Sequence, residues 1–221
     1  MKIDFHVHTN ASIDTLTRPE DLAKRSKALG IIPAVTDHNS ISSNARMRSL
    51  GAVFIPGEEI FTSKGDLIGL YLDEAIKKNT PFLEAIDIIH SQGGIAYLPH
   101  MYDRARSGRY ASEEEAAKVD VIEVFNARCL DKRFNEKALD FALGHSLPQG
   151  AGSDCHHLFE FGSTYVELPD FDIENPKALL KVLRKGRITG RPTTILARGA
   201  TTAIATARRI ARRAFGQRQS L

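Results

Sequence analysis

The sequence predicts an α/β fold built on a mainly parallel sheet, either open or closed into a barrel. Three observations carry that expectation. Short β-branched runs alternate with helix-patterned segments along most of the 221 residues, no Pro/Gly/Ser-rich linker or fixed-period repeat interrupts them, and clusters of His, Asp and Glu follow the predicted strand ends. In order, a strand at Lys2–Val7 leads to a helix at Pro19–Leu29, a strand over 31–35, a helix over 41–50 and a strand over 52–55. A strand over 67–72 follows, then a helix over 81–91 stopped by Gly93-Gly94 and a strand at Ile95–Leu98. The pattern ends with a strand over 120–125, a helix over 130–143 before Gly144, and a strand over 148–151. One domain over residues 1–191 with a basic extension over 192–221 is the simplest organisation. In the extension Ala203, Ile204, Ala207, Ile210, Ala211, Ala214 and Phe215 recur at helical spacing, with Arg208, Arg209, Arg212 and Arg213 on the other side. That spacing predicts an amphipathic basic helix.

With 42% hydrophobic residues the chain can bury a sizeable core, which excludes a disordered tail or a disulfide-stapled miniprotein. Its uncharged stretches fall short of the roughly 18 apolar residues of a membrane span, and Asp4, His6 and His8 stand where a signal peptide would be apolar. Two cysteines, Cys129 and Cys155, make no disulfide framework, so a reducing, cytoplasmic location is expected. The net charge of +3 conceals an asymmetry: residues 1–183 hold all 27 acidic residues but only 20 of the 30 basic ones. An acidic body disfavours long nucleic acid as a partner and suits a site that holds several cations.

The clusters supply such a site. Alternation along the first strand sends His6 and His8 to one side of the sheet, two residues apart. Thr36-Asp37-His38 follows the second predicted strand, Gly57-Glu58-Glu59 the third, Pro99-His100 the strand at Ile95–Leu98, and Gly152-Ser153-Asp154-Cys155-His156 the last. In parallel α/β folds these carboxyl ends converge on one face, where active sites are built. Imidazole with carboxylate suits Zn, Mn or Fe rather than Ca or Mg.

In this order the motifs resemble the polymerase and histidinol phosphatase (PHP) family of metal-dependent phosphoesterases, over roughly residues 1–190. The resemblance implies a distorted seven-stranded β/α barrel with two or three divalent metal ions. It further implies one metal on His6, His8, Glu59 and Asp154, a second on Glu59 and His100, and a third on Asp14, His38 and His156. Glu59 would bridge two ions, with Glu58 the competing bridge. Many members add a His or Cys to the second metal; here Cys129 or Asn126 stands in that region. Asp14 replaces a His of some members, which leans the third site towards Mn or Fe. Asp37 is placed to orient His38.

Three arginines follow His100, and guanidinium forks hold phosphate oxygens bidentately, so Arg104 and Arg106 are candidates to grip a phosphate, with Arg128 and Arg133 further along. His157 is a candidate proton donor to a leaving alkoxide. The expected activity is phosphoesterase hydrolysis of a small phosphomonoester, a nucleotide or related phosphate, by metal-activated water. Histidinol phosphate remains open as substrate, and the alternative class is a catalytically weak, metal-stabilised binding or regulatory module. The basic helix is expected to pack on its own barrel or between subunits of a homo-oligomer. On that expectation, removing the chain after Thr194 leaves turnover of a small substrate intact.

Overall fold

The computed structural model describes residues 1–104, 106 and 108–216, the side chains of 212–216 excepted, so the predicted faces of Arg212, Arg213, Ala214 and Phe215 lie outside the described residues. Nine strands form one sheet in the order β7-β6-β5-β4-β3-β2-β1-β8-β9. They are β1 (Lys2–Val7), β2 (Ile32–Val35), β3 (Ile55–Thr62), β4 (Gly65–Leu70), β5 (Ile95–Leu98), β6 (Val121–Asn126), β7 (Gln149–Gly152), β8 (Thr164–Glu167) and β9 (Arg187–Gly190). The helices are α1 (Pro19–Leu29), α2 (Ser42–Ser49), α3 (Phe82–Ser91), α4 (Glu113–Ala116), α5 (Lys132–Gly144), α6 (Pro176–Leu183) and α7 (Ile195–Gly216).

Strands β1 to β3 pair in parallel, and so do β5 to β7. The expected parallel course is broken at β4, which runs antiparallel to both β3 and β5. The cause is the length of β3. It pairs with β2 only at Ile55 and Pro56, then runs on to Thr62 and returns through a hairpin as β4. Glu58 and Glu59 therefore lie within a strand and not after one, although both stand beyond the stretch where β3 meets β2. The hairpin of β8 and β9, with α6 between them, has no counterpart in the sequence reading; its strands are four residues each and carry little periodicity.

The sheet curls until β7 meets β1. Past β7, the Asp154 amide donates to the His6 carbonyl at 2.8 Å, the His8 amide donates to the Cys155 carbonyl at 3.2 Å, and Val7 bridges Cys155 in parallel. Lower on the same edge β1 pairs with β8, so the seven-stranded ring closes at one end only. Gly152 permits the seam, because a Cβ there would overlap the His6 Cβ and the Glu123 carboxylate. One buried cluster links Ile3, Phe5, Ile68 and Tyr97 of the sheet to Leu179 and Leu183 of α6; a second packs the sheet under α3 and α5. The strand ends that carry the polar clusters are thereby fixed to a rigid frame.

Asp4 clamps the seam. Its fully buried carboxylate accepts from the Ser153 amide at 2.9 Å, the Ser153 hydroxyl and the His6 amide at 3.3 Å. Burial pushes the carboxyl up to about 7 against the opposing pull of these hydrogen bonds. In metal-free protein Asp4→Ala is expected to lose about 1–3 kcal/mol in urea unfolding, whereas Asp4→Asn keeps Oδ1 as acceptor for the two amides and can donate its NH₂ to the Ser153 hydroxyl, retaining most of the stability. Because the folded value lies above the ordinary 3.8, Asp4 favours the fold most at low pH and loses that contribution as pH rises towards 7. The Asn variant should accordingly gain on wild type between pH 5 and pH 8. An Ala variant as stable as wild type would show that the seam does not depend on Asp4.

Candidate metal centre

β1 delivers His6 and, one residue past its end, His8; β3 delivers Glu59, the turn after β2 delivers His38, and the turns after β5 and β7 deliver His100, Asp154 and His156. Asp14 comes from the loop between β1 and α1. Asn39, His100 and Asp154 hold φ values of 49°, 32° and 50°, so three non-glycine residues in left-handed backbone stand in or beside this one cluster. Such strain persists where the surrounding packing dictates the conformation, commonly at functional sites.

Glu59 is the hub. Its Oε1 lies 3.1 Å from His100 Nε2, and its Oε2 lies 3.5 Å from both His6 Nε2 and His8 Nε2 and 2.7 Å from His38 Nδ1. Asp154 Oδ1 is 3.4 Å from His8 Nε2 and 3.9 Å from His6 Nε2. Asp14 Oδ2 sits 3.1 Å from His156 Nε2 and 3.4 Å from His38 Nε2. Donor atoms about 2.1 Å from a shared ion stand about 3.0–3.4 Å from one another in octahedral or tetrahedral arrangement. Most of the separations fall close to that range.

The hydrogen bonds fit the same reading. His6 Nε2, His8 Nε2, Glu59 Oε2 and Asp14 Oδ1 are buried with no hydrogen-bond partner. Orphaned polar atoms in a folded core call for an explanation, and a bound cation supplies one for the three that converge, His6 Nε2, His8 Nε2 and Glu59 Oε2. The far nitrogens are engaged instead: His6 Nδ1 meets Glu123 Oε1 at 3.2 Å, and His156 Nδ1 meets the Asp154 carbonyl at 2.8 Å. Those contacts favour a proton on Nδ1 and a free lone pair on Nε2. Burial, with His156 and His38 close by, pushes His8 down to about 4, so it is the neutral, ligating form at pH 7. Although burial opposes ionisation of Glu59, positive charge on His38 and His6, both raised against burial by the surrounding carboxylates, holds its carboxyl well below the usual range, and a bound cation would take over that charge. Among the described residues, three side chains that can share an ion recur in four overlapping groups: His6, His8 and Glu59; His6, His100 and Asp154; Glu59, Asp66 and His100; His8, His38 and His156.

Glu58 points elsewhere. Strand alternation turns it away from the cluster, where its carboxylate accepts from the Ile76 amide at 2.8 Å. Asp37 does not orient His38 through its ring; it accepts from Thr9 and Ser12, and Ser12 Oγ in turn accepts from the His38 amide. Cys129 belongs to none of the four groups, and burial pushes its thiol up to about 12. Asn126 lies closer: its Nδ2 donates to Asp154 Oδ2 at 3.2 Å and to Glu123 Oε2 at 2.8 Å.

The arginines separate. Arg106 donates to Asp154 Oδ2, to Asn126 Oδ1 at 3.0 Å and to Asp103 Oδ2 at 3.1 Å, which places it against the cluster. Arg128 is buried against Glu160 at 2.9 Å and borders the same cleft. Arg104 does not reach it: the side chain is exposed and stacks over Tyr110, 4.0 Å from the ring centre. Arg133 pairs with Asp131 on the surface. His157 also lies outside the cleft wall, with Nε2 3.1 Å from the Ala197 carbonyl, so the structure does not bring the expected proton donor to the cluster.

Sequence reading missed four carboxylates. Glu123, fully buried in an otherwise apolar strand, accepts from His6, the His100 amide, Asn126 and the Tyr97 hydroxyl. Asp66 joins through the β3–β4 hairpin, Asp103 pairs with Arg106, and Glu160 pairs with Arg128. A lone acid inside a β-branched run was the available signal for Glu123. The other three depend on long-range packing.

A cleft of about 590 Å³ opens over the cluster, lined by Asp14, His38, Glu59, His100, Asp154 and His156 and also by Arg198, Thr201, Thr202 and Arg209 of α7. The extension thus packs on its own barrel, and it does so at the site. Side chains after Thr194 thus stand at the site, although the sequence reading expects that segment to be dispensable for a small substrate.

Comparison with known proteins agrees with this architecture. The family model described as PHP-associated (PHP_C) matches residues 132–188. The uncharacterised protein MJ0417 of Methanocaldococcus jannaschii is 38% identical over 185 residues, covering 81% of this chain and 75% of the relative. Among solved structures, a two-domain protein from Bacteroides vulgatus containing a predicted PHP-like metal-dependent phosphoesterase superposes with a TM-score of 0.69 at 19% identity, over 86% of this chain and 65% of its own. The lesion-specific endonuclease PfuEndoQ from Pyrococcus furiosus superposes with a TM-score of 0.62 at 15% identity, over 85% of this chain and 57% of its own. By its ordered His, Glu and Asp motifs, the nearly closed barrel that presents them and these likenesses, the chain belongs to the PHP family.

Proposed function

We propose that this protein is a metal-dependent phosphoesterase acting on a small phosphomonoester, a nucleotide or related phosphate. The observation that carries the reading is a cleft of about 590 Å³ whose one wall is the imidazole–carboxylate cluster and whose other wall bears guanidinium groups. Its size suits a small molecule. His6, His8, Glu59 and Asp154 would hold one divalent ion, Glu59 and His100 a second, and Asp14, His38 and His156 a third, with Mn, Zn or Fe suited to such donors. Bound there, such ions would lower the pKa of water and neutralise phosphoryl oxygens. Glu123 fixes the His6 ring from behind, and Arg106 presents a charged fork at the edge of the cluster. His157 serves as an anchor for α7 in this reading, and Arg104 has no part in it.

The test is hydrolysis of 4-nitrophenyl phosphate with and without added Mn, followed by phosphate release from nucleotides, sugar phosphates and histidinol phosphate, with a single-stranded oligonucleotide alongside. Turnover of a small monoester that is abolished by a chelator and restored by metal is expected. Cleavage of the oligonucleotide with no release from any small ester would replace this reading with a nuclease. Metal binding with no hydrolysis at all would favour the binding module.

A further inference from the structure

We propose that Arg198 on α7 is an anion-binding residue of the cleft, so that the C-terminal segment supplies part of the substrate site. The inference rests on the phosphoesterase reading for the identity of the anion, and on geometry for the rest.

α7 is tied across the mouth of the barrel from both sides. Arg128 Nη2 donates to Thr201 Oγ1 at 3.0 Å, and His157 Nε2 meets the Ala197 carbonyl at 3.1 Å, on the side of β6 and β7. Arg208 Nη1 donates to the Ser12 carbonyl at 2.9 Å, in the loop that follows β1. Ala197 and Thr201 are buried beneath the helix. Arg198 lies between these ties and lines the cleft together with the metal-ligating side chains.

Four arginines line the cleft, Arg209 among them; of the three that crowd one another, Arg106, Arg128 and Arg198, two hold carboxylates and one does not. Arg106 holds Asp154 and Asp103, and Arg128 holds Glu160. Arg198 instead donates from Nη2 to the Cys129 carbonyl at 2.8 Å, while its Nε is buried with no partner. A half-buried cation with an unsatisfied N–H, beside two other cations, is unfavourable unless an anion occupies the space in front of it. Its pKa is lowered by burial and by Arg128 and Arg106, consistent with that crowding. A phosphate oxygen fits the requirement: it accepts from the idle Nε and offsets the charge of Arg198.

Inorganic phosphate is the probe, on the full chain. Arg198→Met keeps the alkyl packing and removes the fork, and Arg198→Lys restores charge without it. Calorimetric titration of phosphate is expected to weaken by about 10- to 100-fold in the Met variant, with partial recovery in Lys. KM for 4-nitrophenyl phosphate should rise by a similar factor while kcat and metal content change little. On the wild type, saturating phosphate should protect Arg198 from phenylglyoxal, read by peptide mass spectrometry, which needs no variant to fold. Unprotected Arg198, or a folded Met variant with wild-type phosphate affinity and KM, would overturn the proposal while leaving the phosphoesterase reading intact. Arg198-dependent phosphate binding in a protein that hydrolyses no ester would do the reverse.

Discussion

Glu59→Gln is expected to lose at least one equivalent of bound metal and to reduce turnover by about a hundredfold or more, since removing even an outer-shell partner of a metal site costs 10- to 100-fold. The side chain keeps its volume, so packing around β3 should survive. What changes is chemistry. One anionic oxygen becomes an NH₂ donor, and it must face either His100 Nε2 at 3.1 Å or the convergent nitrogens of His6, His8 and His38. A carboxylate can offer one oxygen to each side; an amide cannot. Elemental analysis beside steady-state kinetics measures both effects. Wild-type metal content together with a wild-type rate would remove Glu59 from its place at the centre of the cluster.

Glu123→Gln is expected to weaken metal binding by about 10- to 100-fold although Glu123 is assigned no metal. Its Oε1 accepts from His6 Nδ1 at 3.2 Å and the Tyr97 hydroxyl at 3.3 Å, and its Oε2 from the His100 amide at 3.0 Å and Asn126 Nδ2 at 2.8 Å. Whichever way the glutamine amide turns, its NH₂ faces two donors. The His6 ring is then free to rotate away from its ligating pose, and the turn carrying His100 loosens with it. Glu123→Ala leaves the His6 ring, the His100 amide and the Tyr97 hydroxyl without their acceptor in the core, Asn126 keeping Asp154, and should also cost about 3 kcal/mol or more of stability. Metal titration with a chromophoric chelator separates the two variants: the Gln protein should be folded and weak in metal, the Ala protein weak in both. A Gln variant with wild-type metal affinity would show that the His6 ring is held by β1 alone.

These two residues mark the limit of what could be read without a structure. Glu59 was found through its motif, whereas Glu123 passed as part of an apolar strand. The family resemblance already favours Glu59 over Glu58; the structure adds the reason, the alternation of β3 and its register against β4, where Glu59 pairs with Ile68 and Glu58 with Gly69. Asp66 was placed just before a strand beginning at residue 67, and it entered the site only because the hairpin brings β4 back beside β3.

The sequence by itself determined the strand–helix alternation of the first 150 residues, the strand-end histidines, and the order of motifs that the family shares. Each of these follows from local rules: the two-residue period of a strand, the stop signals of glycine, and the exposure of strand ends. Tertiary structure decided the antiparallel β4, the seam clamped by Asp4, the support of His6 by Glu123 and the seating of α7 over the cleft. Those features join residues far apart in the chain, 149 positions for Asp4 and Ser153 and 196 for Ser12 and Arg208. Local periodicity states which face a residue occupies on its own element. It cannot state which other element that face meets, because that choice is made by closing long loops against the packing they permit.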